Sequence, residues 1–256
     1  MKTKTFIAIF LSIISTGSFS QTAKEISKKS IDAIDVGNIE MISTINIRDA
    51  KGNKRVRQIT TASKQFGGVT KMLIRFIAPA DVKGTSILVY DYENESDNMW
   101  IYLPALRKVR RVVSSEKGKS FMGSEFTNAD MSKPNTEDFD YNIIGTEMYE
   151  GKSCWKIETT SKTEAIANEN GFKKRISYTD KSNYVSYKVE YYDAEGKLRR
   201  IQTLSNYKKQ PNGKYFAYYM SMESVQSGRK SEMIIDKLQS GSQLPESAFA
   251  PTALEK

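Results

Sequence analysis

Residues 214–225 read Lys-Tyr-Phe-Ala-Tyr-Tyr-Met-Ser-Met-Glu-Ser-Val, a stretch that is largely apolar on both sides of an extended chain. Successive side chains of a strand point to opposite faces of the sheet. One face therefore carries Phe216, Tyr218, Met220 and Met222, and the other carries Tyr215, Ala217 and Tyr219. Such a strand needs cover on both sides, which favours a curved sheet with helices over a concave apolar face. An ordinary filled β core is the alternative.

The same period of two continues along most of the chain and predicts a meander of strands. Turn residues such as Glu150-Gly151 and Asn170-Gly171 separate the strands, and no helical pattern falls between them. This excludes a parallel α/β fold and predicts a mainly β protein built on one antiparallel sheet or barrel. The predicted strands cover residues 41–48, 55–62, 71–77, 85–92, 99–103, 107–113, 141–149, 152–160, 173–179, 184–192, 197–207, 214–225 and 231–238.

The first 20 residues have the three parts of a secretory signal peptide. Lys2 and Lys4 form a basic start, residues 6–14 form an apolar run, and Ser18-Phe19-Ser20 is a small-x-small cleavage site before Gln21. We therefore expect residues 1–20 to be removed on export and residues 21–256 to form a single domain. After this segment, an amphipathic helix is predicted over residues 22–40, lying across the sheet.

Composition narrows the chemistry that the chain can perform. It contains 0 His and 1 Cys, Cys154, so neither a zinc site of the usual ligands nor a Ser-His-Asp or Cys-His centre can be built. We expect no catalytic residue, metal or cofactor, although a hydrolase that uses carboxylates such as Asp138 and Asp140 is an alternative. Cys154 lies far from the cleavage site, so no lipid anchor is expected. The net charge of +9 suits phospholipid head groups better than nucleic acid in an exported protein.

The stretch from Pro79 to Met131 places apolar bulk beside positive charge. Residues 100–105 read Trp-Ile-Tyr-Leu-Pro-Ala, and residues 107–111 read Arg-Lys-Val-Arg-Arg. Strand alternation lets at most two of the three arginines share one face. Residues 121–131 have the apolar spacing of a short helix, which would form either a movable lid or a static plug.

These patterns predict a set of candidate site residues. Arg110 and Arg111 are candidates for contact with a lipid head group or with the lid, because guanidinium groups bind phosphate well. Flexible methionines and aromatic rings suit irregular acyl chains. The candidate lipid-binding residues are Met72, Ile74, Phe76, Trp100, Tyr102, Leu103, Phe121, Met122, Phe126, Phe216, Tyr218 and Met220.

The chain resembles the exported LolA-like outer-membrane lipoprotein-sorting proteins. The resemblance covers nearly the whole mature chain, more loosely towards Leu244-Pro245 and Phe249. The residues that carry it most specifically are Pro79, Gly84, Leu88, residues 100–105, Arg107, residues 109–111, residues 121–126 and Asp130. The resemblance implies an unclosed β-barrel, or half-barrel, whose sheet wraps around an apolar cavity covered by helices.

The expected function is therefore that of a monomeric periplasmic carrier that shields the acyl chains of a lipoprotein or phospholipid during outer-membrane sorting, without covalent chemistry. Its expected partners are an outer-membrane receptor or an inner-membrane exporter, with transient contact to a membrane surface. The alternative is an accessory interaction protein of an envelope export system of the resistance-nodulation-division type, with a core filled by its own side chains.

Overall fold

The structure is a computed structural model that describes residues 21–93 and 95–255. The expected signal peptide, residues 1–20, lies outside the described residues. Within the described ranges, no helix is both long and apolar enough to cross a membrane.

Thirteen antiparallel strands form one sheet in this part of the chain. Each predicted strand is present, with ends that differ by a few residues, so the predicted mainly β fold is confirmed. The strands are β1 Ile39–Arg48, β2 Lys54–Phe66, β3 Val69–Ala78, β4 Ser86–Tyr92, β5 Asn98–Leu103, β6 Lys108–Val112, β7 Phe139–Tyr149, β8 Lys152–Ser161, β9 Lys174–Asp180, β10 Ser186–Tyr192, β11 Leu198–Lys209, β12 Tyr215–Ser224 and β13 Lys230–Ser240.

The strand order explains why the barrel does not close. Across the sheet the order is β6-β5-β4-β3-β2-β1-β13-β12-β11-β10-β9-β8-β7. The first and last strands of the meander, β1 and β13, pair with each other in the middle. The two edges are then β6 and β7, which follow one another in sequence. Residues 113–138, which we call the crossing segment, must therefore run from one edge of the sheet to the other.

The helices are short and differ from those predicted. They are α1 Ala23–Ala33, α2 Ser114–Lys117 and α3 Glu164–Asn170, with short 3-10 turns at Pro104–Leu106, Ala129–Met131, Thr136–Asp138, Glu246–Phe249 and Pro251–Ala253. The Thr22 side chain and Glu25 cap the start of α1 reciprocally. This helix ends earlier than predicted, because Gly37 adopts a left-handed φ of 73° and β1 begins two residues later. The prediction overlooked α3 between β8 and β9, which Thr163 and Gly171 cap.

Most of the sheet surrounds a single inner cluster of apolar side chains. This cluster draws residues from β1 to β7, β10, β12 and β13, together with Phe121 and Phe126 of the crossing segment. Helix α1 covers the same face near β8, where Ala23 and Ile26 pack with Ile157. The inner, concave face is thus covered by α1 and by the crossing segment.

The outer face of β2 to β6 has its own cover, the C-terminal segment. Phe249 and Leu254 are buried there against Leu73 and Leu88. The ring of Phe249 lies 5.4 Å from that of Phe66, and the Tyr90 hydroxyl donates a hydrogen bond of 2.7 Å to the Phe249 carbonyl. Residues 86–89 of β4 are buried in succession, because both faces of that strand are covered.

The substitution Phe249→Ala tests this outer cover. We expect it to lower the free energy of unfolding by about 3 kcal/mol, because a fully buried phenyl ring leaves a cavity. Chemical denaturation of the mature protein measures this loss. The control is Leu106→Ala, at a side chain that is 68% exposed, which should change stability by less than about 0.5 kcal/mol. Equal effects of the two substitutions would contradict a structural role for the C-terminal segment.

Candidate functional site

The central part of the crossing segment is a compact loop rather than the predicted helix. Ser120 and Thr127 form a β-bridge, and the Phe121 amide donates a hydrogen bond of 2.8 Å to the Phe126 carbonyl. Met122 and Gly123 adopt left-handed φ values of 50° and 79°, which reverse the chain. The loop therefore inserts its two phenyl rings side by side into the inner cluster. The i, i+5 spacing of Phe121 and Phe126 results from this hairpin and not from a helix.

Three arginines from the sheet hold this loop, and we call them the arginine clamp. Arg57 of β2 donates a hydrogen bond of 2.7 Å to the Met122 carbonyl. Arg229, just before β13, donates to the Gly123 carbonyl at 3.3 Å. Arg200 of β11 donates to the Glu125 carbonyl at 3.1 Å.

Two carboxylates of the crossing segment complete these contacts. Glu125 Oε1 lies 2.8 Å from Arg229 Nε, and Asp130 Oδ2 lies 3.2 Å from Arg200 Nη1. Hydrogen bonds from charged donors are stronger than neutral ones and contribute about 1.5–3 kcal/mol each. The clamp therefore fixes the loop against the inner face by contacts that can be broken together.

The candidate arginines Arg110 and Arg111 are not part of this clamp. The register of the edge strand β6 pairs Arg110 with Ile101, on the inner side, and Arg111 with Trp100, on the outer side. Arg110 donates a hydrogen bond of 2.7 Å to Glu116 in α2, and Arg111 donates to the side chain of Asn98. Both are exposed, and a role for either in head-group contact stays a prediction.

The structure brings nine of the twelve candidate lipid-binding residues to the inner face. They are Met72, Ile74, Phe76, Phe121, Met122, Phe126, Phe216, Tyr218 and Met220. Ile74, Phe76, Phe121 and Phe126 are fully buried, so they belong to the packed core and leave little surface for a ligand.

Other apolar side chains on this face keep partial exposure. We call them the inner band: Met41, Met72, Leu204, Phe216, Tyr218, Met220 and Leu238. The candidate set omitted Met41, Leu204 and Leu238, although strand alternation places them beside chosen residues. Met41 pairs with Leu238, and Leu204 pairs with Met220. The inner band is an apolar surface that a ligand can reach.

The remaining three candidates do not join the inner band. Trp100 and Tyr102 lie on the outer face, in the cluster that the C-terminal segment covers. The cause is strand parity, since the inner residue of β5 is Ile101. Leu103 is half-buried at the end of β5, in neither cluster. Trp100 and Tyr102 therefore cannot share one surface with Met72 or Phe216.

A polar cavity of about 450 Å³ lies at one end of the inner face. Ile31 of α1, Thr70 of β3, Asp91 of β4 and residues 133–137 of the crossing segment contribute to its walls. Thr70 precedes the band residue Met72 by two positions, so both lie on the same face. The volume falls in the usual range for small-ligand pockets, and we call this cavity the mouth.

Two carboxylates shape the charge of the mouth. Burial raises the pKa of Asp91 to about 6, although its carboxylate accepts a hydrogen bond of 3.1 Å from the Lys133 amide. Burial would also raise the pKa of Asp35, but the hydrogen bond and charge of Lys133 Nζ, 2.7 Å away, lower it. Through these two contacts, Lys133 holds the end of the crossing segment against β4 and against the residues that follow α1.

Groups suited to covalent chemistry are not assembled at this site. Cys154 is buried in β8 on the outer side of the sheet, and burial raises the pKa of its thiol. Within residues 21–93 and 95–255, no group of three or more carboxylate or thiol side chains is placed to hold a metal ion. The features that the site does present are the apolar band, the loop and the clamp.

Comparison with known proteins shows close structural relatives. A domain from Vibrio parahaemolyticus, classed with outer membrane lipoprotein-sorting proteins, is 28% identical with a TM-score of 0.84, over 91% of this chain and 98% of that one. A DUF1329 family protein from Desulfovibrio piger is 27% identical with a TM-score of 0.82, over 92% and 100%. A LolA superfamily protein from Nitrosomonas europaea shares the fold at 19% identity, with a TM-score of 0.71 over 90% and 98%.

Sequence comparison adds a family model to these structures. A model described as "Uncharacterized protein" matches residues 68–256, which is most of the chain. No curated protein matches the chain in sequence.

The arginine clamp can be tested by hydrogen exchange. The substitution Arg57→Met keeps the apolar stem of the side chain but removes its hydrogen bond to the Met122 carbonyl. We expect the amide hydrogens of residues 121–126 to exchange on the order of 10-fold to 100-fold faster, since a lost charged hydrogen bond contributes about 1.5–3 kcal/mol. In Arg110→Met, the same amides should exchange as in the unmodified protein. Faster exchange in Arg110→Met alone would mean that β6 holds the loop.

Proposed function

Because the chain belongs to the LolA-like family of outer-membrane lipoprotein-sorting proteins, we propose that it is a periplasmic carrier of acyl chains. The cargo is a lipoprotein or a phospholipid, and its acyl chains lie along the inner band. The observation that carries this proposal is the partial exposure of seven apolar side chains on a face that the rest of the fold encloses. The secretory pattern of residues 1–20 supports a periplasmic location.

Burial alone provides enough energy for such a carrier. Each methylene group removed from water contributes about 0.8 kcal/mol, so ten buried carbons supply about 8 kcal/mol before the cost of ordering. Five of the seven band residues are Met or Leu, and methionine side chains adapt to ligands of irregular shape. No bond has to be made or broken, so the proposal requires no catalytic residue.

The loop and its clamp supply a means of loading and release. With the clamp closed, Phe121 and Phe126 occupy the inner cluster beside the band. Breaking the contacts of Arg57, Arg200 and Arg229 would free the segment to move off the inner face. A partner that binds the open form more tightly than the closed form would drive this change.

The inner band also favours a carrier over the alternative, an interaction protein with a filled core. A filled core would bury Met72, Phe216 and Met220 completely, whereas each keeps part of its surface exposed. We propose an outer-membrane receptor or an inner-membrane exporter as the partner in transfer, with transient contact to the membrane surface and the carrier itself as a monomer.

Native mass spectrometry of the protein purified from its own periplasm tests the proposal directly. We expect co-purifying lipid or acylated peptide of defined mass, which dissociates on activation. Protein that carries no lipid and binds no fluorescent acyl probe in titration would contradict the carrier function.

The substitution Met72→Gln locates the acyl chain on the inner band. We expect it to weaken binding of a fluorescent acyl probe about tenfold, because a polar amide must lose water when the chain binds. The matched control is Met148→Gln, at a methionine that is 64% exposed on the edge strand β7, which should change affinity less than about twofold. Similar losses in both variants would place the acyl chain elsewhere.

A further inference from the structure

A row of polar side chains crosses the inner face on the side of the sheet that the inner band leaves free. Strand pairing places its members directly opposite one another from β7 to β11. They are Tyr141, Thr159, Arg175, Tyr191 and Arg200. Tyr141 and Tyr191 belong to the inner cluster or pack against it, so the row lies on the same face of the sheet as the band.

The two arginines of the row differ in their partners. Arg200 forms an ion pair with Asp130 at 3.2 Å. Among the described residues, by contrast, no carboxylate lies within ion-pair distance of Arg175. Its Nε atom is buried and makes no hydrogen bond. Arg175 is thus a half-buried cation without a counter-charge from the chain that the structure describes.

The surroundings of Arg175 are aromatic. Its guanidinium carbon lies 5.3 Å from the centre of the Phe172 ring and 5.9 Å from that of Phe139. The two rings are stacked 5.7 Å apart, and both are buried in the inner cluster. Aromatic faces stabilise a guanidinium group but accept no strong hydrogen bond from it. The Arg175 side chain also hydrogen-bonds the Tyr191 hydroxyl, and the five N–H donors of a guanidinium group leave others for a ligand.

Tyr141 supplies a second unused donor in the same row. Its hydroxyl oxygen is buried and has no hydrogen-bond partner. Burial raises the pKa of Tyr141 to about 12, so this hydroxyl keeps its proton at neutral pH and can donate it. Thr159 lies between Tyr141 and Arg175, whose backbones are therefore about 10 Å apart, and both side chains are long enough to meet above it.

A half-buried cation without a counter-charge and a buried hydroxyl without a hydrogen-bond partner destabilise a protein unless something binds them. A group that satisfies both must accept hydrogen bonds and carry negative charge. Carboxylate and phosphate have these properties, and both match the planar fork of a guanidinium group. The inner band begins close by, since Arg200 and Leu204 lie on the same face of β11.

We propose that Arg175 and Tyr141 bind the anionic head of the acyl ligand, a carboxylate or a phosphate, inside the half-barrel. This inference rests on the proposed carrier function and adds the charge of the cargo to it. The acyl chain runs along the inner band, and its head group lies in the polar row.

Three ligands with the same oleoyl chain test the inference on the mature protein, by isothermal titration below their aggregation limits. They are oleate, oleoyl lysophosphatidylglycerol and the neutral 1-monooleoylglycerol. We expect Arg175→Gln to lower the affinity for at least one of the two anionic ligands about tenfold or more. The affinity for the neutral ligand should change less than about twofold. Which anion loses more distinguishes a carboxylate head from a phosphate head.

Two further variants separate the site from a structural effect. Tyr141→Phe removes a single oxygen and should lower the affinity for the same anion severalfold, with no change in the affinity for 1-monooleoylglycerol. If Arg175→Gln does not fold, this second variant provides the test. The control is Arg48→Gln, at an exposed arginine at the end of β1, which should leave all three affinities unchanged.

The outcomes tell the two proposals apart. If the unmodified protein binds all three ligands and Arg175→Gln affects them equally or not at all, the anionic site is refuted and the carrier function stands. If the unmodified protein binds none of them, the carrier function fails, and the inference that rests on it fails as well.

Discussion

The chain has to cross the inner face of its own sheet, because β6 and β7 are consecutive in sequence but occupy opposite edges. That requirement follows from the pairing of β1 with β13, which joins the two ends of the meander in the middle of the sheet. The barrel would close only if β6 and β7 paired with each other. Instead, the crossing segment connects these two edge strands. The cover of the inner face is therefore part of the topology rather than an added domain.

The two faces of the sheet are covered in physically different ways. On the outer face, the C-terminal segment packs Phe249 and Leu254 into an apolar cluster, and this contact stabilises the fold by burial. On the inner face, the loop at residues 121–127 combines burial of Phe121 and Phe126 with charged hydrogen bonds from the clamp arginines to backbone carbonyls. The inner cover therefore depends on polar contacts as well as on burial, whereas the outer cover depends mainly on burial.

Charge is also distributed unevenly within the half-barrel. One side of the inner face is the apolar inner band, whereas the other side carries the polar row with Arg175. Arg200 forms an ion pair with Asp130 of the crossing segment, so its charge is neutralised and it helps to hold that segment on the inner face. Arg175 has no such partner among the described residues and faces the enclosed space. An amphipathic ligand would find complementary surfaces for its chain and for its head on the same face of the sheet.

The sequence by itself determined the strands, because the alternation of apolar and polar side chains can be recognised within each segment, without knowing which strands pair. Residues 214–225 were apolar on both faces, and β12 indeed contributes to clusters on both sides of the sheet. The same alternation would have separated Trp100 and Tyr102 from the inner residues, once the inner side of β5 was known. The predicted helix at residues 121–131 was wrong because its apolar spacing fits a tight loop equally well.

Only the tertiary structure decided which arginines hold that loop and which cation lacks a counter-charge. Arg57, Arg175, Arg200 and Arg229 are far apart in sequence, and the pairing of strands alone brings them to the inner face.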